Sequence, residues 1–248
     1  MSVFDTMIRR PSNTLMLLES SRVLLEIMAY FQAKPTLRKV VPRGDGHPVL
    51  IIPGFLAGDG STGLLRAFLR DRDYAAHRWE LGRNLSFNKE RMQRIQRRVE
   101  ELRRLHRAKV SLIGWSLGGL YAREIARLQP DDIRLVITLG SPFARSLKAN
   151  NAHWLYRIIS GHRADDINPK LMQRMQEPPP VPTTAIYSHS DGIVAWQCCM
   201  EQREGPITEN VRVRGSHCGF GYNPMALFVI GDRLAQPEGN GCGLNGKA

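Results

Sequence analysis

Lys109-Val-Ser-Leu-Ile-Gly-Trp-Ser-Leu-Gly-Gly119 carries an apolar run straight into a G-x-S-x-G turn, Gly114-Trp115-Ser116-Leu117-Gly118. The residues that follow, Leu120 to Leu128, are apolar at helical spacing and stop at Pro130. A strand that turns this sharply into a helix strains its central residue and brings the flanking backbone very close, so the positions two either side must be tiny. Gly114 and Gly118 meet that demand. The hydroxyl of Ser116 is then held clear of the sheet at a helix N-terminus, where amide N–H groups and the helix dipole favour negative charge. Without the strand before it and the helix after it, the same pentapeptide would mean only a turn.

A serine hydroxyl is a poor nucleophile until a base takes its proton, and a histidine base needs a partner that fixes its tautomer and supports its charged form. Two downstream segments provide these. The β-type run Thr183 to Tyr187 opens into Asp191-Gly-Ile-Val-Ala-Trp196, so Asp191 falls at a strand's C-terminal end. Asn210-Val-Arg-Val-Arg214 alternates as a strand and breaks into the glycine-rich Gly215-Ser-His-Cys-Gly-Phe-Gly221, which gives His217 the same placement ahead of a final helix. Open α/β sheets carry their sites at the C-terminal ends of the strands, so Ser116, Asp191 and His217 are expected to converge. Asp191 in Ser-Asp-Gly also suits ordinary turn chemistry. Its rivals Asp165 and Asp166 follow no strand and read as a helix cap. Among seven histidines, His47, His77, His106, His153 and His162 read as surface or structural residues. His189, two residues before Asp191, is expected to border the pocket.

In the order serine, acid, histidine, each after its own strand, the chain resembles an α/β-hydrolase over most of residues 47–236, and within that superfamily the compact lipase and esterase branch. The resemblance implies an α/β fold with a mostly parallel central sheet, helices on both faces and a small helical cap insertion. The turn in Val49-Leu-Ile-Ile-Pro-Gly-Phe55 matches the opening turn of that branch. By the resemblance, the backbone N–H groups of Phe55 and Leu117 form the oxyanion hole. Pro53 and Trp115 stand where many relatives carry histidine. Neither position is catalytic, so these departures bear on the subfamily and not on the mechanism.

At 248 residues and 42% hydrophobic, the chain can bury one large core, and no linker is long enough to split it. We read residues 1–46 as an N-terminal amphipathic helical extension, 47–236 as the hydrolase domain with a cap at about 144–182, and 237–248 as a flexible tail. In the extension, Asn13 to Phe31 has a wide apolar surface, while Glu19, Arg22 and Glu26 share one stripe. That helix either packs on the domain or a partner copy, or docks at a lipid surface or roofs the pocket. In the cap, Leu147 to Gly161 and Pro169 to Glu177 read as helices, and Pro178-Pro-Pro-Val-Pro182 as a stiff extended closure. Trp154, Leu155 and Ile158 are expected to join Trp115 and His189 around an acyl pocket.

A second long helix, Asn88 to Arg107, sets Met92, Ile95, Val99 and Leu102 on one face, and seven arginines elsewhere on it contribute to a net charge of +12. No recognised motif or aromatic interleaving accompanies them, so the basic face reads as solvated and no nucleic-acid partner is expected. No run of about 18 apolar residues argues for a membrane-spanning helix. Charges interrupt the N-terminal apolar stretch and no small-residue cleavage site follows, so no signal peptide is read and a cytoplasmic location is expected, with peripheral membrane contact open. The four cysteines, at 198, 199, 218 and 242, lack metal-type spacing. Either Cys198 or Cys199 pairs with Cys218, or these are free thiols.

The expected activity is hydrolysis of carboxylic esters through an acyl-enzyme, without metal or organic cofactor, on a small-molecule or lipid-like substrate of short to medium acyl length. The same acyl-enzyme passed to another acceptor would make an acyltransferase. A non-catalytic scaffold that keeps the turn for structural reasons is the alternative from another class. The oligomeric state is open.

Overall fold

A computed structural model describes residue 8, residues 10–144 and residues 169–239. The short apolar runs of the sequence become six parallel strands: β1 (Pro48–Ile52), β2 (Ala75–His77), β3 (Val110–Trp115), β4 (Ile133–Leu139), β5 (Thr183–Tyr187) and β6 (Thr208–Arg212). Their order across the sheet is β2-β1-β3-β4-β5-β6. Every residue of β1 and β3 is buried, because helices cover the sheet on both sides. That is why β1 reads as an unbroken apolar run and β3 as one interrupted by Ser111, neither alternating with a water-facing side.

On one face lie α4 (Lys89–His106) and α5 (Leu117–Leu128), which enclose Ile95, Val99, Leu102, Leu120 and Ile125 against Leu50, Leu112 and Val136. Asn88 starts α4 as the sequence predicts, its side chain accepting the N–H of Arg91 at 2.9 Å. On the other face α2 (Glu19–Val40), α3 (Gly63–Asp71) and α7 (Pro224–Leu234) bury Tyr30, Leu37, Leu65, Phe68, Leu227 and Ile230 against Val49, Ile51, Ile113 and Ile137. The expected sheet with helices on both faces is present.

Several boundaries differ from the sequence reading. β6 begins two residues early, a shift that keeps every side chain on its face and so leaves the alternation equally legible in both registers. The N-terminal segment breaks into α1 (Asn13–Leu17) and α2, and α2 runs on through Pro35 to Val40. Of the two readings of the N-terminal helix, packing on the domain is the one seen for its described residues: α2 packs along α7, and Tyr30, Leu37 and Val41 join the core.

Over residues 17–31, α1 and the first half of α2 largely reverse the usual amphipathic arrangement, Tyr30 apart. Leu17, Leu24, Leu25, Met28 and Phe31 are between 57% and 78% exposed, while the stripe of Glu19, Arg22 and Glu26 turns inward. Among the described residues, no helix is long and apolar enough to cross a membrane. Of the expected cap, α6 (Pro169–Gln176) is described. The helix expected over 147–161, with Trp154, Leu155 and Ile158, lies outside the described residues, as do Asp165, Asp166 and residues 240–248.

Candidate functional site

Ser116 links β3 to α5 with φ 50° and ψ −116°, a backbone conformation that side chains rarely adopt. Strain of this kind costs about 1–3 kcal/mol and persists where the surroundings over-determine it. Here the Ser116 N–H donates to Leu139 O at 2.8 Å, tying the turn to β4. The two flanking glycines are sterically required: a Cβ on Gly114 would overlap Gly119 Cα, and one on Gly118 would overlap Ile52 O. The spacing argument from the sequence therefore has a direct cause in crossing backbone.

The turn after β1 lies against this elbow. A Cβ on Gly54 would sit 3.3 Å from Ser116 Cβ and 3.4 Å from Trp115 O. Fully buried Asn84 pins the turn, donating from Nδ2 to Pro53 O at 2.8 Å and accepting the Leu56 N–H on its backbone oxygen at 2.8 Å. Gly54 is thus held against Ser116, and Phe55, next in the chain, lines the same cavity as Ser116. Leu117, the first residue of α5, is fully buried behind it, so anything it offers a substrate comes from its backbone and not its side chain.

Asp191 and His217 arrive from the loops after β5 and β6 and meet: Asp191 Oδ2 lies 2.7 Å from His217 Nδ1, with both residues buried. The other carboxylate oxygen, Oδ1, accepts the N–H groups of Ile193 at 2.8 Å and Val194 at 2.7 Å, which fixes the carboxylate's orientation. Trp115 Nε1 donates to His217 O at 3.0 Å and so ties the elbow to the histidine loop. Gly140, after β4, completes the enclosure at φ 54°; a Cβ there would press to 3.1 Å from His217 Nδ1 and 3.2 Å from Asp191 Oδ2. Burial opposes protonation of His217, but the charge of Asp191 and its hydrogen bond, with Glu19 adding to them, outweigh burial and raise the imidazole above its ordinary value of 6.5.

Ser116 and His217 both line one cavity of about 390 Å³, whose wall is mainly apolar and includes Phe55, Trp115, Val23 and Leu56. Among the described hydrogen bonds, none joins Ser116 Oγ to the imidazole; such contacts tighten when substrate binds. Expected pocket residues divide accordingly. Trp115 lines the cavity, whereas His189 does not. His189 instead lies against Trp196, ring centroids 4.2 Å apart, and beside Tyr187, centroids 5.8 Å apart. Cys199 and Cys218 are free thiols, so the bracing disulfide to Cys218 is not formed.

Sequence reading misses the contribution of α2. Glu19 Oε1 accepts the N–H groups of Gly192 at 2.9 Å and His217 at 3.1 Å, and its Oε2 accepts that of Cys218 at 2.9 Å. The polar stripe at i, i+3, i+7 is visible in the sequence, but nothing local says which distant loops it meets.

No protein-family model matches the chain, and no curated protein matches it. Solved structures do. The chain is similar to lipase B of Aspergillus fumigatus with a TM-score of 0.57 and 20% identity; the match covers 83% of this chain but only 58% of that one, so the chain spans little more than half of that lipase. A pyrethroid hydrolase from Sphingobium faniae gives 0.55 at 16% identity, covering 77% of this chain and 98% of that one. A monoacylglycerol lipase from Paleococcus ferrophilus gives 0.54 at 16% identity, covering 77% and 96%. At such identities the likeness is one of architecture, and it coincides with the parallel sheet and the strained serine turn found after β3. The chain has the α/β-hydrolase fold.

Proposed function

We propose that this chain is a serine carboxylic ester hydrolase. The observation that carries the reading is the strained Ser116 elbow opening into the same apolar cavity as His217, whose other ring nitrogen is held by Asp191. In the proposed reaction His217 Nε2 takes the proton of Ser116 Oγ as it attacks the ester carbonyl. The N–H groups of Phe55 and Leu117 receive the developing oxyanion. Collapse of that intermediate expels the alcohol, protonated by His217, and leaves an acyl-serine. Water, deprotonated by His217, then releases the acid and restores the serine. Asp191 keeps the proton on Nδ1, so that Nε2 faces the substrate as the base.

Val23, Phe55, Leu56, Ala57, Ile193 and Tyr222 surround the cavity with carbon, and its volume is of small-ligand size. These features favour an uncharged, apolar acyl group of short to medium length. Hydrolysis of p-nitrophenyl esters of increasing acyl length by the unmodified protein and by Ser116→Ala tests the proposal. The expected result is turnover that declines for long chains and is lost in the variant. An unchanged rate in Ser116→Ala refutes it.

A further inference from the structure

Helix α2 makes its most unusual contacts through its polar side. Glu19 is only 4% exposed, and at the first turn of a helix a carboxylate ordinarily serves the helix dipole. Here it is turned onto three backbone N–H groups, one on the loop of Asp191 and two on the loop of His217. Its neighbours on the stripe act on the same two loops. Arg22 donates to Ser190 O at 2.7 Å and to Ser190 Oγ at 3.1 Å. Glu26 accepts the Ser216 N–H at 2.7 Å and the Ser216 hydroxyl at 2.7 Å.

The loops are cut to receive these helices. A Cβ on Gly219 would overlap the Glu26 carboxylate, and one on Gly192 would come within 2.6 Å of the Leu15 carbonyl carbon in α1. Two loops that lie apart in sequence are therefore bridged by a single carboxylate reached from the other end of the chain. We infer that Glu19 is a positioning residue, which holds the loops of Asp191 and His217 in register and places a second negative charge beside the imidazole that becomes positive during turnover. The inference rests on the hydrolase reading for its kinetic consequences, but the clamp itself is a property of the loops and is tested without it.

The charged and titratable groups facing this clamp are Arg22 and Glu26 from α2 itself, Asp191, His217 and Cys218. Asp191 is already engaged with His217 Nδ1 and Glu26 with Ser216, so neither takes over the contacts of Glu19. Glu19→Gln keeps one oxygen acceptor and removes the charge. The expected result is a kcat lower by about 10- to 100-fold with KM changed less than about threefold, since small misplacement of a base costs this much. The acid limb of kcat/KM should move to lower pH by about half a unit to one unit, as expected when a neighbouring negative charge is removed. Glu19→Asp, which keeps the charge on a shorter stem, should restore the position of that limb without restoring kcat in full.

A folded Glu19→Gln protein with unchanged kcat and acid limb overturns the inference, and so does one that loses stability alone with the limb unmoved. Amide exchange on the unmodified protein decides the matter if the variants fail to fold: the Gly192, His217 and Cys218 N–H groups should exchange as slowly as those of the sheet, and open-loop rates overturn the clamp. If the unmodified protein neither cleaves esters nor reacts with a fluorophosphonate, the hydrolase reading fails separately, while amide exchange and an NMR titration of the His217 ring still test the role of Glu19.

Discussion

Replacing Asp191 by asparagine isolates what the carboxylate does for His217, because the side chain keeps its shape. Two backbone donors, Ile193 N–H at 2.8 Å and Val194 N–H at 2.7 Å, already claim Oδ1, so the amide oxygen of the substituted side chain must stay with them. Its NH2 group then faces His217 Nδ1, where Asp191 Oδ2 stood at 2.7 Å. An NH2 there can only donate. Nδ1 must become an acceptor, the ring proton moves to Nε2, and the nitrogen facing Ser116 loses the lone pair that would take the serine proton. The expected loss is about 10⁴-fold in kcat, equivalent to about 5.5 kcal/mol of transition-state stabilisation. Global stability should fall by no more than about 1–3 kcal/mol, the scale of weakening charge-assisted hydrogen bonds in a site of unchanged shape. Steady-state cleavage of a short p-nitrophenyl ester, beside a urea melt, measures both. Because residues acting as one unit are not additive, Ser116→Ala combined with Asp191→Asn should be no slower than Ser116→Ala alone. An Asp191→Asn protein that is folded and within tenfold of the unmodified kcat would refute the tautomer argument.

In the proposed mechanism His217 must be neutral to accept a proton, and its folded pKa is raised, so kcat/KM should be low in acid and climb as pH passes through a value above 6.5. A pH–rate profile that is already flat at pH 6 would contradict this sign. Gly114→Ala places a methyl into the backbone of Gly119, where no side chain can move aside, and should destabilise the fold by more than about 3 kcal/mol in a denaturant melt. A variant that melts like the unmodified protein would show that the β3–α5 crossing is looser than the structure implies.

The strands and the site loops are legible in the sequence because their signals are local. An apolar run ending in Gly-x-Ser-x-Gly, and two later runs ending in Asp191 and His217, each declare a strand and the turn that leaves it. Parallel pairing then carries all three to one rim, which is a rule of topology and needs no distance information. Phe55 can be placed only through family likeness, since its N–H is backbone and leaves no mark in residue type.

The failures share a cause as well. Nearness to Asp191 in sequence assigns His189 to the pocket, yet the loop turns it onto Trp196. On α2, periodicity distinguishes two faces correctly but not which one the protein covers. A polar stripe normally faces water because water satisfies it. Here backbone N–H groups on the loops satisfy it instead, and Leu24 and Leu25 are left outside.

The bond between Trp115 and His217 spans 102 residues, and that between Glu19 and Cys218 spans 199. At ribosomal speeds of about 5–20 residues per second, Ser116 is incorporated roughly 5–20 seconds before His217. Throughout that interval the nascent chain carries an inert hydroxyl. On the proposed mechanism that hydroxyl gains its base only when the last strand's loop docks under the first long helix, so the order of synthesis itself would keep a half-made chain from being acylated.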